Sequence, residues 1–242
     1  MQSNCVPCFS RFAVGTVTDE YAVSELMEFL DLPELVDVGP TNGAPGQCLV
    51  WRFAEPLLGI SSAMVGGGIG PVSWVINFTV DAQYSRFDAA DHLEEVARRL
   101  RLVGRGVAMM TAVDVACRCG ATCDGATATA TVGVRIPVWA ASRDRSHEVD
   151  ATPGTINIVA ASPIRLSEAA LVNAVATVTE AKVQALFDHQ IPGTGTASDA
   201  VCILCPRGGE AEAFGGPRST WGGRLALATY DAVAAGIKRQ RA

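Results

Sequence analysis

Two stretches of this chain combine residue types that can do chemistry at close spacing: Thr179-Glu180-Ala181-Lys182, and Gly193-Thr194-Gly195-Thr196 with Asp199 just beyond it. The lysine stands out on composition. The chain has nineteen basic residues, and only Lys182 and Lys238 are lysines. Lys238 sits in a basic KRQR tail, where the choice of cation matters little. Lys182 sits in a helical pattern, where a compact ammonium and a planar guanidinium are not interchangeable. Thr179 and Lys182 are three residues apart and share a helix face, whereas Glu180 projects about 100° around the axis from Thr179. Two readings stay open for Lys182: a stem that runs along the helix with its head in water, or an amine placed for function. A second glycine cluster, Gly66-Gly67-Gly68 with Gly70-Pro71, is either a hairpin loop or a place where backbone N–H groups approach a ligand.

The elements that must position these residues follow from periodicity. GTINIVAAS reads as a strand, Ser167 is a serine N-cap, and Leu171, Val175 and Val178 recur at helical spacing, so this helix buries one stripe. The glycine-threonine loop then enters the apolar strand VCILC. Upstream, CLVWRF, GISSAMV and VSWVINFTV are short strand-like runs. Asp88 opens a helix with Leu93, Val96, Ala97 and Leu100 on one face. GRGVAMMTAVDVAC and ATATATVGVRIPV are strand-like and joined by the turn RCGATCDG, and Ser142–Pro153 is a charged loop carrying His147 and Glu148. A last helix spans Pro217 to Arg239. Residues 1–46 read as a variable N-terminal segment with a short helix over Asp19–Leu32, and 47–242 as one domain. Strands linked too tightly for helical crossovers, then strand-helix-strand, predict an α+β sandwich of mainly antiparallel or mixed sheets with covering helices.

Composition narrows the function classes. At 242 residues and 49% hydrophobic, the chain can bury a sizeable core. A net charge of −6 with no basic block before the tail disfavours nucleic acid and anionic membrane as partners. The longest apolar stretch is broken by Gly66, Gly67, Gly68, Gly70 and Pro71, unlike a transmembrane helix, and the first residues lack a signal-peptide pattern. A cytoplasmic location is the expectation. Among the eight cysteines, Cys5–Cys8 and Cys202–Cys205 have CxxC spacing, but nearly the whole chain separates the pairs. Alternation along VCILC sends Cys202 and Cys205 to opposite faces, so buried free thiols are expected and no metal site.

The ordered set SSAMVGGG, INFTV, MMTAVDV, TVGV, GTINIV, TEAK, GTGT and GGPRSTWGG resembles the adenosylcobinamide amidohydrolase family (CbiZ-type) over roughly residues 48–238. The resemblance implies hydrolysis of the amide joining aminopropanol to a corrin ring. The products would be adenosylcobyric acid and 1-amino-2-propanol, in salvage or remodelling of cobamides. It implies a small-molecule corrinoid partner and no cofactor beyond the cobalt of the substrate; homo-oligomerisation stays open. The family pattern reads GTGTD, whereas this chain reads GTGTASD. The extra pair either displaces Asp199 by about 7 Å along an extended segment or bulges out and leaves it in place. The strand-helix-loop-strand order is also similar to that of β-aminopeptidases and ornithine acetyltransferases, which implies a four-layer α-β-β-α sandwich.

Amide hydrolysis needs a nucleophile, proton transfer to the leaving amine and a place for the oxyanion. The three histidines, His92, His147 and His189, lie outside the motifs, which argues against a Ser-His-Asp arrangement. Glu180 or Lys182 is then the expected general base, acting on water or on Thr111 or Thr196, with Asp199 as a further catalytic candidate. Oxyanion or substrate contacts are expected from the backbone of Gly66, Gly67 and Gly68, from that of Gly193, Thr194 and Gly195, and from Ser62, Asn77, Asn157 and Thr179. A corrinoid carrier or sensor that binds without cleaving would use the same pocket.

Overall fold

A computed structural model of the protein describes residues 8–12, 33–39, 46–143 and 154–241, with 8–12 described by backbone alone. The expected helix over Asp19–Leu32 and the loop carrying His147 and Glu148 lie outside these residues. The strands are β1 (Cys8–Phe12), β2 (Glu34–Asp37), β3 (Gln47–Ser61), β4 (Gly68–Thr79), β5 (Gly106–Thr111), β6 (Cys119–Cys123), β7 (Ala126–Val132), β8 (Ile156–Ala161) and β9 (Ala200–Cys205). The helices are α1 (Ala89–Arg99), α2 (Glu168–Asp188) and α3 (Thr220–Arg241). Within residues 1–46 the described segments contribute two strands to the common sheet: β1 pairs with β6 and β2 with β3.

Strand order is β1-β6-β7-β8-β9-β3-β4-β5, with β2 beside the first half of β3. The pivot is β3. Its residues from Cys48 to Arg52 pair with β4, and its residues from Leu58 to Ser61 pair with both β4 and β9, with a register break between Arg52 and Leu57. An irregularity of this kind bends a strand, and here it carries the chain from one layer to the next. The two ends of the sheet therefore meet face to face. Leu49, Trp51, Val75, Val107 and Met109 pack against Val159, Ala161, Ala200, Cys202 and Leu204 in one cluster.

The other faces of the same strands are covered by helices. Val50, Trp74, Ile76 and Phe78 lie under Leu93 and Val96 of α1. Ile156, Ile158, Val201 and Ile203 lie under α2 and α3, against Leu171, Val178, Leu186, Leu225 and Val233. The result is a four-layer α-β-β-α sandwich with mixed pairing, as expected. Each fully buried Leu or Ile in these layers contributes roughly 1.5–3 kcal/mol. The order β-β-α-β occurs twice: β3 and β4 are antiparallel and α1 crosses to a parallel β5, while β7 and β8 are antiparallel and α2 crosses to a parallel β9. The middle strand of each unit carries an Ile-Asn pair, Ile76-Asn77 and Ile156-Asn157.

Three local expectations change. GISSAMV is not a separate strand, because β3 runs on through Pro56 to Ser61. RCGATCDG is not only a turn, because Cys119–Cys123 is a strand held between β1 and β7. Asp88 precedes α1 without a side-chain capping bond; its carboxylate is held instead by Arg86 at 2.6 and 2.8 Å. By contrast, Ser167 caps α2, accepting from the Ala170 N–H.

The cysteines of VCILC fall on opposite faces, Cys202 between the sheets and Cys205 toward the helices. Burial pushes the thiols of Cys48 and Cys202 up to about 12. Cys117 departs from the free-thiol expectation, being disulfide-bonded. Among the described residues, no group of three or more His, Cys, Asp or Glu could hold a metal ion, and no helix is long and apolar enough to cross a membrane.

His92 of α1 is 3% exposed, set edge-on to Phe78 and stacked on Tyr84, whose hydroxyl lies 3.0 Å from Nδ1. Burial lowers its pKa below the ordinary 6.5. The unfolded chain therefore binds a proton that the folded one resists. His92 supports stability above pH 6.5, and that support is lost as pH falls through the lower folded value. Unfolding free energies at pH 7.5 and 5.5 should differ more in the wild type than in His92→Gln. Equal acid losses in both proteins would remove His92 as the cause.

Candidate functional site

A pocket of about 370 Å³ opens where the two sheets meet, at the ends of β5 and β8 and the loop before β9. Its apolar walls come from Ala63, Met64, Val80, Tyr84, Met109 and Met110, and its polar groups from Ser62, Thr111, Thr155, Asn157, Ser198 and Asp199. Pockets of this type pair apolar walls with a few fixed polar groups. Strand alternation explains why these groups converge. Positions 109 and 111 of β5 and 157 of β8 face the layer between the sheets, while Ile156 and Ile158 on either side of Asn157 face the helices.

Asp199 is the carboxylate of the pocket, and the protein surrounds it with donors. Its Oδ1 accepts from the Ile156 N–H at 2.9 Å and the Thr196 hydroxyl at 2.5 Å. Its Oδ2 accepts from Lys182 Nζ at 2.6 Å and the Thr196 N–H at 3.1 Å. Four donors fill the lone-pair positions of a carboxylate. Side-chain exposures of 7% for Lys182 and 11% for Asp199 make this a buried ion pair. Lys182 reaches it from α2, on the far side of the sheet from the pocket. The Lys182 head is therefore buried and paired, and its stem does not snorkel to water.

The two residues that extend GTGT are accommodated by bulging. Ala197 and Ser198 form an exposed turn, and Asp199 folds back to accept from Thr196 three residues earlier. The turn has a consequence for the pocket, because the Ser198 hydroxyl lies 2.8 Å from that of Thr155 and both line the wall. Neither residue was singled out from sequence as a site residue. Thr155 is the second residue of the GTINIV motif, a signal that could have found it. Ser198 belongs to the departure from the family pattern, and no signal pointed to it.

Of the expected site residues, Ser62, Thr111, Asn157 and Asp199 line the pocket. Asn77 stands directly behind Asn157, and Lys182 and Thr196 hold Asp199. Others are not brought to the pocket wall. Glu180 is exposed on α2, on a face turned away from Lys182, and Thr179 is half-buried without lining the pocket. Gly66, Gly67 and Gly68 form a turn whose carbonyls at 66 and 67 accept from Arg105. The glycine at 66 is required, since its φ is +73° and a Cβ would fall 1.8 Å from the Gly106 carbonyl. The hairpin reading of this cluster fits, and it does not line the pocket.

Three of the four N–H groups of the GTGT backbone are likewise committed. The Gly193 N–H donates to Ile191, the Thr194 N–H to Val138 and the Thr196 N–H to Asp199, so these donors are not directed at an oxyanion. Gly195 instead leaves room, because a Cβ there would lie 2.2 Å from Asp199 Oδ2 and 2.6 Å from Lys182 Nζ.

A four-layer sandwich with a pocket between its sheets, walled by hydroxyls, an amide and a clamped carboxylate, is the frame of a small-molecule site on an α+β scaffold. The chain belongs to the adenosylcobinamide amidohydrolase family, whose model matches residues 35–242. A protein of Halobacterium salinarum named adenosylcobinamide amidohydrolase is 34% identical over 120 residues, 50% of this chain and 52% of that one, so the match spans about half the length of that relative. One of the same name from Methanosarcina mazei is 28% identical over 186 residues, 73% of this chain and 88% of that one. The crystal structure of the PH0078 protein from Pyrococcus horikoshii OT3 aligns with 84% of this chain and 83% of its own, at 12% identity and a TM-score of 0.43.

Proposed function

We propose that this protein is an amide hydrolase that cleaves the aminopropanol amide of adenosylcobinamide, releasing adenosylcobyric acid and 1-amino-2-propanol, in salvage or remodelling of cobamides. The observation that carries the reading is the pocket itself. In a chain of this family, the space of about 370 Å³ suits an aminopropanol arm and its amide, while a whole adenosylcorrinoid is too large for it. The corrin ring then stays at the mouth, where Met64 of the pocket wall is 60% exposed. Attack comes from water or a hydroxyl at the Thr155–Ser198 pair. The Thr111 oxygen already accepts from the Val113 N–H, so its own hydrogen is available to the developing oxyanion.

In this reading Lys182, Thr196 and Asp199 are positioning residues. Glu180 has no part in proton transfer. The chemistry is metal-independent and needs no cofactor, the cobalt belonging to the substrate. The protein acts on a small molecule in the cytoplasm, with no nucleic-acid partner.

Incubating the purified protein with adenosylcobinamide and following mass should reveal adenosylcobyric acid and 1-amino-2-propanol in equal amounts. Binding without product would replace the hydrolase with a corrinoid carrier or sensor. Neither binding nor product would overturn both readings.

A further inference from the structure

Between the sheets, Asn77, Asn157 and Thr131 form a chain of side-chain bonds whose direction is fixed by a backbone carbonyl. The Met110 oxygen can only accept, so Asn157 must turn its NH₂ group toward it, at 2.9 Å. The second hydrogen of that group goes to Asn77 Oδ1 at 2.8 Å. Asn77 must then present its own NH₂ to Thr131 Oγ1, at 2.9 Å. Flipping either amide would set acceptor against acceptor or donor against donor. Of the two asparagines, both expected from sequence as oxyanion donors, Asn157 has thus committed both hydrogens of its NH₂ inside the protein and Asn77 has turned one of its own to Thr131.

What remains is an acceptor. Asn157 is 2% exposed, it lines the pocket, and its Oδ1 is buried with no hydrogen-bond partner. Leaving a buried acceptor unsatisfied costs about 1–3 kcal/mol. A ligand that supplies a donor there recovers that cost. We propose that Asn157 Oδ1 accepts the N–H of the amide that is cut. The inference rests on the hydrolase reading and names the substrate atom that this group recognises.

The chemistry gives the contact a role beyond binding. Water adds to the carbonyl carbon, the C–N bond breaks with its electron pair going to nitrogen, and a proton from the water passes to nitrogen. Nitrogen gains positive character along this path, so a bond from its N–H to Oδ1 strengthens toward the transition state. An acceptor at this point also keeps the oxyanion away, which places it on the opposite side of the scissile carbon, toward the hydroxyls. Selectivity for an amide over an ester follows, since an ester oxygen offers Oδ1 nothing and meets it lone pair to lone pair.

The test crosses an enzyme variant with a substrate change: wild type and Asn157→Ala, each on adenosylcobinamide and on the ester analogue with oxygen in place of the N–H. Asn157→Ala should lose roughly 10- to 100-fold in kcat/KM on the amide, mainly in kcat, and less than about 3-fold on the ester. Equal losses on both substrates overturn the inference and leave the hydrolase reading standing. Wild-type protein that cleaves neither overturns the hydrolase reading, and the inference falls with it. Thr131→Val, which disturbs the same chain away from the pocket, should lose the same factor on both substrates; discrimination as strong as that of Asn157→Ala would also overturn the inference. If Asn157→Ala does not fold, Asn157→Ser keeps a hydroxyl for the Met110 carbonyl and carries the same comparison.

Discussion

Lys182→Met is expected to lower stability by about 3–5 kcal/mol and to reduce turnover of the amide by at least an order of magnitude. The side chain keeps its length and its packing along α2 but loses the ammonium that sits 2.6 Å from Asp199 Oδ2. Asp199 would then keep only Ile156, the Thr196 hydroxyl and the Thr196 N–H as donors, all uncharged, in a setting where its side chain is 11% exposed. A buried carboxylate stripped of its cation is the costly state, more so than a pair removed whole. Asp199→Asn added to Lys182→Met should therefore recover part of the loss, and the pair should couple by more than about 1 kcal/mol in a double-mutant cycle. Urea unfolding gives the stability terms, and turnover gives the functional one. Turnover falls because the turn that releases from Lys182 carries Ser198 and, through it, the hydroxyl contact to Thr155. A Lys182→Met protein with wild-type stability and wild-type rate would show that the pair anchors nothing.

That pair also shows where sequence reading succeeds and where it stops. Lys182 was conspicuous as a lysine among arginines, and β4, β7, β8 and β9 were visible because β-branched residues and period-2 alternation follow the sheet geometry directly. Helical spacing already separated Glu180 from Thr179 and Lys182, and in the structure that spacing decides which of them is buried. The bend in β3 was hidden, since CLVWRF and GISSAMV read as two separate strands with Ala54–Leu58 between them. The two sheets on either side keep it extended. β6 was hidden for the same reason. Its Gly120 and Ala121 disfavour a strand locally, and strands on both flanks impose one.

Within the site, the polar residues on apolar strands were recognisable as unusual, but their hydrogen-bond direction was not. Whether Asn157 offers a donor or an acceptor depends on the Met110 carbonyl, 47 positions away in sequence. Thr155 and Ser198 meet across 43 positions, through a turn that exists because the loop has two additional residues. Residue type limits what a site can do, whereas long-range pairing decides which option is used.

Gly195→Ala is the sharpest expression of this dependence, and it is expected to cost about 1–3 kcal/mol with a severe loss of turnover. The added methyl would fall 2.2 Å from Asp199 Oδ2 and 2.6 Å from Lys182 Nζ. Charged side-chain ends on a surface would swing away cheaply. These cannot, since Asp199 is held by four bonds and Lys182 is 6% exposed beneath the loop. Either the ion pair lengthens or the loop lifts, and both move Ser198 relative to Thr155. The same crowding explains the amine: a planar guanidinium in place of Nζ would need the space that the missing Cβ provides, so Lys182→Arg should also be destabilising in a chain that otherwise favours arginine. Coupling discriminates this cause from a general loss of backbone freedom. With Lys182→Met and Asp199→Asn in place, the charges that the methyl would crowd are gone and the fixed bonds are weaker, so Gly195→Ala should cost less there than in the wild type. An undiminished cost in that background would mean that the glycine serves the backbone alone and not the pair.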